Sequence, residues 1–338
     1  MAAATAQGAS YEELSEAISR TVAAVVPHDG LRLVGTSPTA GFGPASFGFW
    51  HEFDPDLGMA LLHLAFAGED PCSMEYLARR SLPVGVVGTG RGRRHRPARE
   101  VLAAHGVGSE LRLLLRDAAG VWGMLELLRT QDGRPFDDHD ANRATQLGSM
   151  LIAVLRGHVT AGPTSPATPR IPTGVIIVGP DHITRAATPQ ARRWREQLQA
   201  RQRAPDFTAA PYCTGLSMQA RRHARDPRTT APLVVGPAAS YGRWVACHAQ
   251  PLTDGGSEDT AIIIETATSE QLLPSFCDWY RITARESQVI EHLLDATAPK
   301  QIARRLGLST YTVNDHLKAI FRKTGVSGRD ELLAALTG

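Results

Sequence analysis

Apolar positions near the start of the chain recur at helical spacing. Tyr11, Leu14, Ile18, Val22 and Val25 fall three and four apart, and Ser10 with Glu13 has the spacing of a capping box, so a helix is expected there. The pattern then shortens to runs that suit strands, LRLVG (31–35) and FGFWHEF (47–53). After a weaker stretch come ELRLLLRD (110–117) and VWGMLELLR (121–129), joined by a short Ala-Gly turn, which read as an antiparallel hairpin. Residues 135–159 supply a helix start and a long amphipathic helix. The segment TAGPTSPATPRIP (160–172), with four prolines, reads as a linker. Beyond it GVIIVGPDHITRAATPQARRWREQL (174–198) predicts a buried strand, a turn, a short strand and a helix. PLVVG (232–236), GRWVACHAQPL (242–252) and DTAIIIETA (259–267) are further strand candidates, and a weaker boundary lies at 268–279. The chain therefore predicts a multidomain fold: an α+β domain over 10–159, a linker over 160–172, an α+β domain over 173–268 and an all-α four-helix domain over 279–338.

The last segment carries the chemistry. Thr283-Ala284-Arg285-Glu286 is a second capping box, followed by the apolar stripe Val289, Ile290, Leu293 and Leu294. A second helix begins near Thr297, with Pro299 in its first turn and Ile302, Ala303 and Leu306 facing inward. Gly307 suits the left-handed residue that closes a helix, Leu308 plugs the corner and Ser309 caps a third helix over about 310–323. On that helix Val313, Leu317, Ile320 and Phe321 share one side, and Tyr311, Asn314, Asp315, Lys318 and Arg322 the other. Asn can pair with adenine, Lys can donate to guanine and Asp can accept from cytosine, so this polar face is the expected base-reading surface. Asp315 suits solvation or discrimination against wrong sequences equally well.

These residues resemble the LuxR-type (GerE, FixJ/NarL-like) helix-turn-helix domain. The family pattern is met by Ile282-Thr283-Ala284-Arg285-Glu286, Ile302-Ala303, Leu306, Leu308-Ser309, Thr312-Val313, His316-Leu317, Ile320, Lys323, Gly325-Val326 and Arg329. By position, the resemblance implies base reading by Asn314, Asp315 and Lys318, and phosphate contacts by Thr310, Thr312 and Lys323, with Lys300 and Arg304 as further phosphate candidates. It also implies a fourth helix that pairs two domains on DNA, here with Leu332, Leu333 and Leu336 as its apolar side. The sequence departs from the pattern at Ala296, where Gly is common, and at Ile282 and Gln301. Upstream, Gly123-Met124-Leu125-Glu126-Leu127 with Phe136 and Asp140 resembles the closing pattern of a GAF domain, implying a six-stranded sheet with a pocket. Residues 173–268 resemble a PAS-like module: two strands, helices, then a three-stranded meander.

Composition narrows the remaining classes. Of 338 residues 43% are apolar and 21% charged, ordinary for a globular chain, and a net +2 neither requires nor excludes nucleic acid. From Asp278 to Gly338 nine cationic and seven acidic residues leave +2, so DNA binding should weaken with salt. Cys72, Cys213, Cys247 and Cys277 form no CxxC pair; for Cys72, Cys213 and Cys247 buried structural thiols are the simplest reading, with redox sensing or haem binding as the alternative. His51-Glu52 lacks the rest of a zinc-protease motif, and GTGRGRRHRPAR (88–99) reads as a mobile, solvated loop rather than a phosphate site. Phe47, Phe49, Trp50 and Trp122 suit either a pocket or a core. The start has no basic or long apolar leader, and the uncharged stretch 33–51 is too rich in Gly, Pro and Ser for a spanning helix, so the protein is expected in the cytoplasm with no membrane role. No paired acids with a distal Lys mark a receiver domain, no nucleophile–base set marks an enzyme, and no cofactor is predicted. The expectation is a DNA-binding transcription regulator acting as a homodimer, with double-stranded DNA and RNA polymerase as partners and an unidentified small molecule sensed upstream. The alternative is a constitutive DNA binder whose upstream half is a protein-interaction or dimerisation scaffold.

Overall fold

The computed structural model describes residues 10–90, 92–199, 209–252 and 258–337. The first helix, α1 (Tyr11–Ala23), carries the expected capping box between Ser10 and Glu13. Strands β1 (Gly30–Gly35), β2 (Phe47–His51), β3 (Val84–Val87), β4 (Val107–Asp117) and β5 (Gly120–Thr130) form one antiparallel sheet in the order β2-β1-β5-β4-β3. The sheet has five strands where the GAF resemblance implies six. β4 and β5 are the expected hairpin, longer at both ends, and their pairing is bulged near its open end and near the turn.

Side-chain alternation divides this sheet into two unlike faces. Leu33, Phe49, Leu113 and Leu125 lie across from one another and are buried, as the pairing register requires. This face is covered by α1 and by α5 (Asp138–Thr145) and α6 (Gly148–Thr160). These last two replace the single long helix expected over 135–159. Asp137 and Asp140 form a capping box on α5, and the buried Asp140 also receives Arg129 Nη1 at 2.7 Å. The opposite face carries Arg32, Arg112 and Glu126 and lies under α2 (Pro55–Phe66), α3 (Met74–Ala78) and α4 (Arg96–Ala104). Part of the arginine run at 88–99 is thus a short helical turn, Arg93–His95, leading into α4, instead of a loop throughout; Arg91 lies outside the described residues.

The second sheet joins β6 (Gly174–Val178), β7 (Thr184–Ala187), β8 (Leu233–Gly236), β9 (Val245–Pro251) and β10 (Thr260–Thr266) in the order β7-β6-β10-β9-β8. Counted within each sheet, both have the strand order 2-1-5-4-3. Helices α7 (Pro189–Gln199) and α8 (Ala210–Arg225) fill the crossover, and α9 (Ala238–Tyr241) leads into β9. Sequence periodicity does not reveal α8, because its buried residues include Thr214, Gly215, Ser217 and Gln219 beside Tyr212, Cys213 and Leu216. The proline-rich segment is not a free tether. Ala167 N–H donates to Gly242 O at 2.7 Å, and Arg243 Nη1 donates to Thr266 while its Nε donates to Thr168 at 3.3 Å.

The boundary at 268–279 is a helix, α10 (Ser269–Tyr280), capped by Thr268 and Gln271. Its Trp279 ring lies 5.1 Å from Trp122 and 5.7 Å from Phe47 between ring centres, which places Phe47, Phe49 and Trp122 in the core. Asp278 Oδ2 accepts from Thr39 N–H at 2.9 Å and Thr39 Oγ1 at 2.8 Å, and Ser37 Oγ lies 2.9 Å from Ser275 Oγ. The same apolar cluster continues through α10 into the last four helices, α11 (Ala284–Leu294), α12 (Pro299–Leu306), α13 (Thr310–Thr324) and α14 (Arg329–Thr337). Among the described residues no helix is long and apolar enough to cross a membrane, and no group of three or more His, Cys, Asp or Glu is placed to hold a metal ion.

Candidate nucleic-acid interface

Each joint of the C-terminal domain follows from its local sequence. Thr283 accepts from Glu286 N–H, and Glu286 Oε2 accepts from Thr283 N–H at 2.7 Å, starting α11. α11 ends on Ala296 at φ +56°, a left-handed conformation that costs a residue with a Cβ about 1–2 kcal/mol. α12 closes on Gly307 at φ +65°, where no such cost arises, and Leu308 N–H then donates to Ala303 O at 2.8 Å. Ser309 caps α13 by accepting from Thr312 N–H at 3.0 Å.

Val313, Leu317 and Ile320 of α13 are buried against α11 and α12. Its other side is open: Asn314, Asp315, Lys318 and Arg322 are exposed, and Tyr311 is 74% exposed, an unusual position for an aromatic ring with no partner to cover it. Lys318 Nζ lies 3.6 Å from Asp315 Oδ1, a solvated pair of little strength. Lys300, Arg304 and Thr310 are exposed at the approach to this face, while Thr312 is half-buried with its hydroxyl 2.9 Å from Ser309 Oγ.

Residues 281–335 match the family described as bacterial regulatory proteins, luxR family. These residues are a LuxR-family helix-turn-helix domain. No curated protein matches the chain. Among solved structures, the crystal structure of Escherichia coli SdiA aligns at 10% identity over 98% of this chain and 91% of that one, with a TM-score of 0.34. SdiA in complex with octanoyl-rac-glycerol aligns at 13% identity over 100% and 93%, also at 0.34. At this score the superposition establishes no shared fold.

Two groups of residues expected at the DNA and dimer surfaces have partners within the chain. Lys323 does not reach outward: its Nζ donates to Glu286 Oε2 at 2.6 Å and to Arg281 O at 2.8 Å. Glu286 is buried at the cap of α11, and burial alone would raise its carboxyl pKa; the Lys323 and Thr283 hydrogen bonds outweigh this and hold it below the ordinary glutamate range. An ammonium so engaged ties α11 to α13. On α14, Leu332 and Leu336 are fully buried and only Leu333 is partly exposed. α14 lies against α10, with Ser269 Oγ donating to Leu336 O at 2.9 Å and Thr164 Oγ1 donating to Glu331 Oε1 at 3.1 Å. The side expected to pair two domains is therefore covered within the chain. Sequence periodicity identifies the apolar side of α14 but cannot say which surface covers it.

Arg281 sits at φ +54° and ends α10, and Thr283 already caps α11. Ile282 N–H donates to Cys277 O at 2.9 Å across this joint. The helix docked on the first domain and the first helix of the LuxR-family domain are thus separated by residues 281–283 alone.

Proposed function

We propose that the chain is a sequence-specific DNA-binding transcription regulator whose LuxR-family domain is controlled by the two α+β domains before it. The observation that carries this reading is the docking of α10: one helix packs on the first domain, buries α14 and runs by a short, hydrogen-bonded joint into α11. Base reading is assigned to Asn314, Asp315 and Lys318, with Tyr311 and Arg322 flanking them, and phosphate contact to Lys300, Arg304, Thr310 and Thr312. The exposure of all of these but the half-buried Thr312 supports the assignment. The first domain is read as GAF-like and the second as PAS-like, a reading supported by the β8–β9–β10 meander and by the strand order common to both sheets.

Control is then a shift between two populations. With α10 docked, α14 is covered and two copies of the chain cannot pair through it; with α10 released, Leu332, Leu333 and Leu336 become available for a homodimer on a palindromic site. A merely constitutive binder would not need the LuxR-family domain to share its apolar core with the first domain. Selection of bound sequences from a random duplex library with the full chain tests the reading. A recurrent two-half-site motif is expected, and enrichment of no motif by the full chain or by a variant with α10 loosened, such as Asp278→Ala, would reject it.

A further inference from the structure

A cavity lies on the charged face of the first sheet, and the second domain roofs it. Its volume is about 430 Å³, within the roughly 300–1,000 Å³ of small-molecule sites. α2 forms one wall with Met59, Leu62 and Phe66, and α8 crosses the top with Tyr212 and Gly215. The two domains are pinned at the rim: Tyr212 Oη donates to Ala45 O at 2.9 Å and Tyr241 Oη to Ser46 O at 3.1 Å. Trp50, which sequence alone left between pocket and core, lines this cavity.

The floor is polar, and its hydrogen bonds restrict what can bind. Arg32 Nε and Nη2 hold both oxygens of Glu126, the latter bond at 2.8 Å. Arg112 holds both oxygens of Glu110 at 2.8 and 2.9 Å and Asp70 Oδ2 at 2.6 Å, and Cys72 N–H donates to Asp70 Oδ1 at 2.9 Å. Every carboxylate oxygen in the floor is therefore already an acceptor. Among the described residues Trp50 Nε1 is buried without a hydrogen-bond partner, and in the floor Arg32 Nη1 has none. It faces Gly58, where a Cβ would lie 3.5 Å away, so the missing side chain leaves space in front of it. At the rim Arg222 Nη1 and Glu75 Oε1, 3.6 Å apart, balance each other.

We propose that this cavity binds an uncharged, predominantly apolar small molecule whose carbonyl-type oxygen accepts from Arg32 Nη1, with α8 of the second domain closing over it. A cation would face the Arg32 guanidinium with no unengaged carboxylate oxygen to receive it. An anion would lose its hydration beside a floor where both guanidiniums are already paired with carboxylates. A neutral carbonyl meets the open Arg32 donor, and the walls take the apolar remainder. Because floor and roof belong to different domains, occupancy strengthens their association. The assignment rests on the reading of the upstream half as the controlling part of a regulator, and it names where and what that half senses.

The test uses the full chain and three probes: the neutral naphthyl ketone 6-propionyl-2-(dimethylamino)naphthalene, its carbonyl-free parent 2-(dimethylamino)naphthalene, and the anionic 6-(dimethylamino)-2-naphthoate. The ketone should bind saturably at one site per chain with blue-shifted emission, and the other two about tenfold or more weaker. Leu62→Trp and Met59→Trp, which fill the cavity from α2, should each weaken ketone binding by about tenfold or more, with folding checked by thermal unfolding. Equal or tighter binding of the naphthoate, no saturable ketone binding, or unchanged binding in a folded filling variant would overturn the proposal. If both variants unfold, the order of the three probes still decides. DNA selection is scored separately: a chain that selects a motif but ignores the ketone rejects the cavity assignment alone, and one that binds the ketone but selects no DNA even with α10 loosened by Asp278→Ala rejects the regulator reading alone.

Discussion

Lys323→Met separates a structural lysine from a DNA-contacting one. The wild-type Nζ lies 2.6 Å from Glu286 Oε2, with side chains only 24% and 6% exposed. At an effective dielectric constant of about 20 the gross attraction of such a pair is about 6 kcal/mol, most of which repays desolvation. Removing the cation leaves Glu286 buried with only its bond from Thr283 N–H, a class of change that costs about 3–5 kcal/mol. Because Lys323 is partly solvated, the low end applies, and about 3 kcal/mol is expected. Hydrogen exchange at amides of α11 and α13 reads this as a loss of protection of about two decades. The double variant Glu286→Gln, Lys323→Met should recover much of it, since the uncompensated charge is gone. The salt slope of DNA binding should stay at its wild-type value, whereas loss of one phosphate contact would lower it by about 0.9. A reduced slope with unchanged exchange would refute the structural assignment of Lys323 and restore it as a phosphate ligand.

Other outcomes follow from the same geometry. Lys318→Ala should weaken binding to the selected site by about 1–3 kcal/mol and relax preference at one base position, measured by competition among single-base variants of that site. Ala296→Gly removes a left-handed residue with a Cβ and should stabilise the C-terminal helices by about 1 kcal/mol in urea unfolding, less whatever the freer unfolded chain takes back. The Asp140 carboxyl is pushed up by burial but held lower still by Arg129, the Asp137 amide and Arg134, so its folded pKa lies below the unfolded one. Its contribution is therefore complete above the ordinary aspartate value of about 3.9 and lost as pH falls through the folded value, and Asp140→Asn should flatten the acid limb of stability against pH. Trp279→Ala empties the contact between α10 and the first sheet and should cost about 3–5 kcal/mol, with increased exchange in α14 as well as α10. Exchange confined to α10 would show that α14 does not depend on its docking.

The sequence by itself determined the elements whose information is local. The helix-turn-helix was legible because its caps, its closing glycine at 307 and its apolar stripe all lie within a turn or two of the backbone they specify. The β4–β5 hairpin and the capping box of α1 were legible for the same reason. Tertiary structure decided what depends on partners far along the chain. The periodicity of α14 shows an apolar side, but only the docking of α10 makes that side interior, and Lys323 looks like a surface cation until Glu286 is brought to it across 37 positions. β3 is four residues long and α8 buries small and polar side chains, so neither has a periodic signature. The cavity is the plainest case. Arg32 and Glu126 are 94 positions apart and α8 comes from another domain, so the one unclaimed donor in the floor follows from pairing registers and interdomain packing that no local pattern encodes.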